Sequence, residues 1–430
     1  MVKLRALAPV VLVVGIAAGS VLGSAEPSGD PNVPQTLGEY LQYAALHNAG
    51  LRAAFEEWKA ALEQVPQAKA LPDPKFTYNY FIEQLQTRQQ VGVMQTFPWF
   101  GKIAARTDAA AAAANAAQKR YEAKKLQLFF AVKEAFYEYV YLGRAGRITR
   151  ENLELMRHFE AVTRTKHITG TAIHPDVIRA QIEVAELQNE LISIERMREP
   201  TVARLSAALN RPAESPLPWP RPEPAPPVEL DRRTLIAALK EANPELQAAG
   251  FDVERLRREV DVVKRSFYPE IGLGAEWMAM NMGPGARDDD VRVGLELNLP
   301  LWRSSYRAGE MQARALARRA EHERLDLENN LSAQVERILY EFEDSGRRAE
   351  LYSGTLIPSV KELMGASEAA YLAGTIDFLS LIEAERTLLK YRLEEERAST
   401  NRQQRLAELE MLVGTDLSGS PAGRTVERPE

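Results

Sequence analysis

Apolar and polar residues alternate without a break from Val291 to Pro300: Val291, Val293, Leu295, Leu297 and Leu299 on one side, Arg292, Gly294, Glu296 and Asn298 on the other. A period of two marks a strand with one apolar and one wet face. About ten such residues, tilted by ~40°, rise ~25 Å, enough to cross the apolar band of a bilayer. Similar alternation predicts strands at about 75–85 (Phe76, Tyr78, Tyr80, Ile82), 89–98 (Val91, Val93, Phe97) and 269–280 (Ile271, Leu273, Ala275, Trp277), beside the one at 291–300. Phe81 and Gln95 break the pattern, each on the wrong face.

The rest of the chain reads as helix. A helix from about Thr36 ends at Pro72 and Pro74, and a second, from Lys102 to about His167, is ~100 Å long at 1.5 Å per residue. Phe129, Val132, Phe136, Tyr139 and Val140 give it a roughly heptad seam, which Gly143 and Gly146 interrupt as a bend or close contact. A turn near 169–175 leads into a helix to about Leu209, so the two helices form an antiparallel hairpin. The segment 210–229 is a stiff linker, with eight prolines between Arg211 and Pro227. The plan then recurs: helix from Asp231, two strands, helix from about Ser304, a turn near 374–377, and a helix to about Leu412.

Landmarks keep step between the halves. Pro98 and Pro300 are 202 apart (300 − 98), Gly143 and Gly346 are 203 apart (346 − 143), and Gly170 and Gly374 are 204 apart (374 − 170). The chain is therefore a duplicated helix–strand–strand–helix unit, with repeats at 36–209 and 230–413. The long polar loop from Asn281 to Asp290 is expected on the outer side, and 414–430 reads as a disordered tail.

Composition narrows the function. Net charge is −6, and no basic patch is interleaved with aromatics, which argues against nucleic acid. Cysteine is absent, excluding disulfides and thiolate chemistry. Residues 1–25 read as a signal peptide, with Lys3 and Arg5 before an apolar run and small residues near Ala25. Four strands are too few to close a barrel, and each open edge leaves backbone groups costing several kcal/mol apiece in lipid. Copies of the chain must share the sheet; two give eight strands and a filled lumen, three give twelve and room for a channel, and twelve long helices favour three.

These features, with Gln-Thr-Phe-Pro-Trp-Phe-Gly-Lys at 95–102 and a Gly-Thr at each hairpin turn, resemble the TolC-like outer-membrane efflux family. The strand-end motif looks like that of its heavy-metal and cation members. The resemblance implies a mainly α protein whose trimeric 12-stranded outer-membrane β-barrel continues into a periplasmic α-helical barrel. The homotrimer would dock a periplasmic adaptor protein and an inner-membrane pump, RND-type in preference to ABC-type, as a passive exit duct in the outer membrane. It also implies that Asp176, Tyr371 and Glu383 lie at the periplasmic aperture, Tyr371 facing Asp176 from a neighbouring hairpin. Ser380 and Ile376 depart from the family pattern, standing where an acid and a basic latch are common.

By position, Gly170, Thr171, Gly374 and Thr375 form the hairpin tips and an adaptor-docking surface; the glycines are read as φ > 0 or tight-clearance positions. By alternation, Glu270, Glu276, Arg292 and Glu296 face the barrel lumen. His158, His167 and His174 lie near the first tip, but His158 and His167, nine apart, fall on opposite helix faces and cannot share an ion. They are read as surface histidines, with no metal site or cofactor expected. No nucleophile elbow or phosphate loop is present, so no enzyme is expected. Two rival readings stay open: a type I protein secretion channel, and a periplasmic coiled-coil adaptor or scaffold.

Overall fold

The computed structural model describes residues 34–83, 87–221, 228–281 and 287–417. The signal segment at 1–25, part of the proline-rich linker and the tail beyond 417 lie outside the described residues. The first repeat comprises α1 (Leu37–His47), α2 (Ala49–Lys69), β1 (Lys75–Tyr80), β2 (Thr87–Phe97), α3 (Lys102–Ile168) and α4 (His174–Ala208). The second comprises α5 (Arg232–Ala242), α6 (Pro244–Arg265), β3 (Glu270–Asn281), β4 (Arg287–Asn298), α7 (Arg303–Leu351), a π turn (Tyr352–Leu356), α8 (Ile357–Leu372) and α9 (Phe378–Val413). Among the described residues no helix is long and apolar enough to cross a membrane.

Each helix predicted to open a repeat is in fact two, divided at an asparagine. The Asn48 and Asn243 side-chain oxygens accept from the backbone N–H groups of Leu51 (2.9 Å) and Leu246 (2.7 Å), capping α2 and α6. Their amide groups donate to the carbonyls of Ala208 (2.9 Å) and Leu412 (2.7 Å), at the far ends of the return helices. One side chain thus ties the start of each repeat to its end. Each end is a left-handed residue, Asn210 with φ 56° and Gly414 with φ 80°. A Cβ on Gly414 would lie 2.6 Å from the Ala242 carbonyl oxygen, so the second copy of the junction admits only glycine.

The one-residue slip in repeat spacing between Gly346 and Gly374 has a local cause. The π turn at Tyr352–Leu356 lies between them, whereas α3 is continuous over the equivalent stretch. A π turn absorbs one extra residue without rotating the helix beyond it, so the second hairpin keeps its seam in phase.

The four strands form one antiparallel sheet in the order β1-β2-β3-β4, with β2–β3 joining the repeats. Phe76 pairs with Val93, Val91 with Trp277, and Leu273 with Leu295, so the apolar rows share one face. That face is bare in the single chain: Phe76 is 70% exposed, Val293 79% and Leu295 64%. Two strand limits differ from the alternation. β1 ends at Tyr80, with only the Phe81 N–H still reaching the Arg88 carbonyl. β4 begins at Arg287 rather than 291, because Arg287 to Asp290 pair with Asn281 to Met278 and shorten the polar loop.

Helices and sheet meet at Trp99–Lys102. Gly101 has φ 77°, and a Cβ there would lie 2.5 Å from the Arg265 guanidinium. Arg265 donates to the Phe100 carbonyl (3.0 Å), Trp99 stacks on Tyr268, and Lys102 pairs with Glu270 (2.5 Å). Below this junction two apolar clusters hold the helices. One joins α5, α6, α7 and α9 through Leu239, Val335, Ile338 and Leu409; the other lies toward the tips around Met156, Phe159, Tyr371, Phe378 and Leu381. In α3 the seam buries Val132, Ala135, Phe136 and Tyr139, and Gly143 leaves room for Trp219 from the linker, 3.1 Å from where a Cβ would stand.

Candidate functional site

Both hairpins turn by the same device. Gly170 (φ 75°) and Gly374 (φ 76°) are left-handed residues just past the ends of α3 and α8. The Gly170 N–H donates to His167 and the Thr171 N–H to Lys166; at the other tip Gly374 reaches Tyr371 and Thr375 reaches Ala370. This is the Schellman arrangement, which satisfies the last carbonyls of a helix. The Thr171 and Thr375 hydroxyls donate to those same Lys166 and Ala370 carbonyls, each at 3.0 Å, which is why threonine follows glycine twice. No atom lies within 4 Å of a Cβ built on either glycine, so backbone conformation, not clearance, is their requirement in the chain.

The three residues expected at the aperture occupy distinct settings. Asp176, in the first turn of α4, is buried and accepts from Arg179 at 3.2 Å. Tyr371 is buried at the end of α8, its hydroxyl bonded to Thr163 (2.9 Å), its ring beside Phe378 and under the Lys166 ammonium. Burial pushes the Tyr371 hydroxyl pKa up, and the nearby Asp176 charge adds to the shift. The two are therefore neighbours within one chain, but each has its own hydrogen-bond partner. Glu383 is exposed on α9. Ser380 serves the N-cap of α9, its N–H and hydroxyl donating to Asp377 at 3.0 and 2.6 Å, and Ile376 packs against the tip cluster.

A second acidic group lies inside the same region. Glu385 is 1% exposed, and its Oε2 has no hydrogen-bond partner among the described residues. Burial, reinforced by the Glu183 charge, pushes it up to about 8. Glu183, also buried, is held by Arg386, which reaches Glu186 as well at 3.3 Å. The signal for Glu385 was available in the heptad Phe378, Leu381, Ile382, Glu385, Leu388, Leu389, where one carboxylate interrupts an apolar stripe.

On the sheet, Glu270, Glu276, Arg292 and Glu296 share the face opposite the apolar rows. Glu276 pairs with Arg292, Glu270 with Asn298, and Gly272 with Glu296. Asn79 donates to Gln90 (3.4 Å) and Gln90 to Glu276 (2.8 Å), a polar row across three strands. Gln95, the polar exception on the apolar face, turns its amide onto the Pro72 carbonyl at 2.7 Å.

His158 is exposed, its ring near Phe159. His167 and His174 face each other across the first tip with ring centres 5.3 Å apart. No group of three or more metal-ligating side chains occurs among the described residues.

The family described as outer membrane efflux protein matches residues 40–211 and 235–415. Nodulation protein T of Rhizobium leguminosarum bv. trifolii is 22% identical over 375 residues, covering 82% of this chain and 79% of that protein. The cobalt-zinc-cadmium resistance protein CzcC of Cupriavidus metallidurans is 23% identical over 372 residues, covering 84% and 85%. The outer membrane protein VceC of Vibrio cholerae superposes with a TM-score of 0.75 at 16% identity, covering 89% of this chain and 96% of that one.

Proposed function

This chain belongs to the outer membrane efflux protein family, and we propose that it is an outer-membrane efflux channel with a periplasmic extension, three copies of which assemble into a passive exit duct. One observation carries the assembly. The four-stranded sheet has two open edges, β1 and β4, and an apolar face bare to its surroundings. In a bilayer each unpaired backbone group on those edges costs several kcal/mol, and a closed barrel removes that cost. Three chains supply twelve strands, enough to enclose a lumen lined by Glu270, Glu276, Arg292 and Glu296.

In this reading the tips at Gly170–Thr171 and Gly374–Thr375 meet a periplasmic adaptor, and Asp176, Tyr371 and Glu383 border the aperture. An RND-type inner-membrane pump supplies the energy. The test is the mass of the detergent-solubilised protein: three chains per particle are expected, and a folded monomer soluble without surfactant overturns the reading. A deletion strain challenged with divalent metals, dyes and antibiotics identifies the substrate class. In that strain Gly374→Leu should restore trimers but leave export reduced; full resistance refutes the docking role of the tips.

A further inference from the structure

His167 lies in the last turn of α3 and His174 opens α4, so the first turn brings two imidazoles together that lie seven positions apart in sequence. Their rings are tilted by 42° with centres 5.3 Å apart, unlike the stacked Tyr43–His47 pair at 4.1 Å and 22°. A Zn–N bond is ~2.0–2.1 Å, which sets each ring centre ~3.2 Å from a shared ion; at the tetrahedral angle two such centres lie ~5.2 Å apart. The observed 5.3 Å separation matches that spacing, within the range of ordinary ring contacts.

Protonation is arranged to suit. His167 Nδ1 lies 3.0 Å from the Ala172 carbonyl, which can only accept, so Nδ1 carries the proton and Nε2 keeps a free lone pair. A histidine ligand whose other nitrogen donates to a carbonyl is the usual second shell of a metal site. The His174 ring makes no hydrogen bond among the described residues, and both histidines are exposed. The α3 C-terminus favours a cation at His167 and the α4 N-terminus disfavours one at His174, so the helix dipoles roughly cancel. The Lys166 ammonium, on the residue before His167, is engaged by the Leu372 carbonyl and the Tyr371 ring.

We propose that His167 and His174 together bind one borderline divalent cation, of the zinc, copper, nickel or cobalt class that prefers imidazole. Two protein ligands leave the remaining positions to water, so the site is open and exchangeable, and the ion braces the turn between α3 and α4. The site depends only on this hairpin and not on the exit-duct reading.

The test is Zn²⁺ titration of the full-length protein, purified in detergent without a polyhistidine tag, against a chromophoric competitor. One ion per chain is expected, with His167→Ala and His174→Ala each weakening it by at least ~10-fold, and His158→Ala, on the far face of α3, leaving it unchanged. Equal binding in the wild type and the His167→Ala/His174→Ala double variant overturns the proposal, as does an equal loss in His158→Ala, which would mean adventitious surface histidines. Particle mass in the same samples reports separately on the trimer.

Discussion

Asn243 and Glu385 show two opposite ways of burying a polar side chain. Asn243 has both ends of its amide satisfied, capping α6 and holding the Leu412 carbonyl. A cap and an internal hydrogen bond are each worth about 1 kcal/mol, so the burial offsets its own desolvation. Glu385 has one oxygen without a partner and sits beside another carboxylate, Glu183. Its proton is held up to about pH 8, whereas the unfolded chain loses it in the ordinary carboxylate range. Between those limits the folded state binds more protons, so stability falls as pH rises toward 8. Glu385→Gln is expected to raise the melting temperature at pH 8 by ~2 °C or more and to change it little at pH 5, as read by circular dichroism in detergent. An equal shift at both pH values excludes the titration.

Helix phase governs what the elements can do. The seam of α8 places Tyr371 against Thr163 and Phe378 only if its turns arrive at the right angle. The π turn at Tyr352–Leu356 accommodates the residue that the second repeat has in excess. Deleting Gly354, exposed and with nothing within 4 Å of a Cβ built on it, should restore a plain α-helix and leave assembly intact. Deleting Ala366 instead rotates Tyr371 by ~100° relative to the rest of the helix. Outer-membrane trimer yield should survive the first deletion and collapse in the second; equal yields would disconnect the π turn from the extra residue.

At the scale of the whole molecule, the sheet is the part that cannot be satisfied within one chain. Its apolar row is exposed where soluble proteins bury such residues, and Val293 stands near the middle of β4. Val293→Arg should cost ~2–4 kcal/mol if that position meets the bilayer midplane. Charge reversal at Arg292, on the opposite face, should be far milder. Folding titrations in lipid vesicles with urea separate the two, and equal costs would mean that the faces are misassigned.

The alternation of strands, the reach of α3, the duplication and the Gly-Thr turns could all be read from the sequence, since each is a local period or a local backbone requirement repeated twice. Glu385 and the slip in spacing left a legible trace as well, one carboxylate in an apolar stripe and one surplus residue. What the linear order could not decide is who meets whom. Asn48 finds Ala208, Asn243 finds Leu412, Trp219 settles on Gly143, and His167 turns to His174. Each meeting depends on the angle at which two long helices present their side chains, and a small change in phase or turn geometry moves it by several ångströms. Periodicity sets the faces of an element, but only packing selects the residue that each face touches.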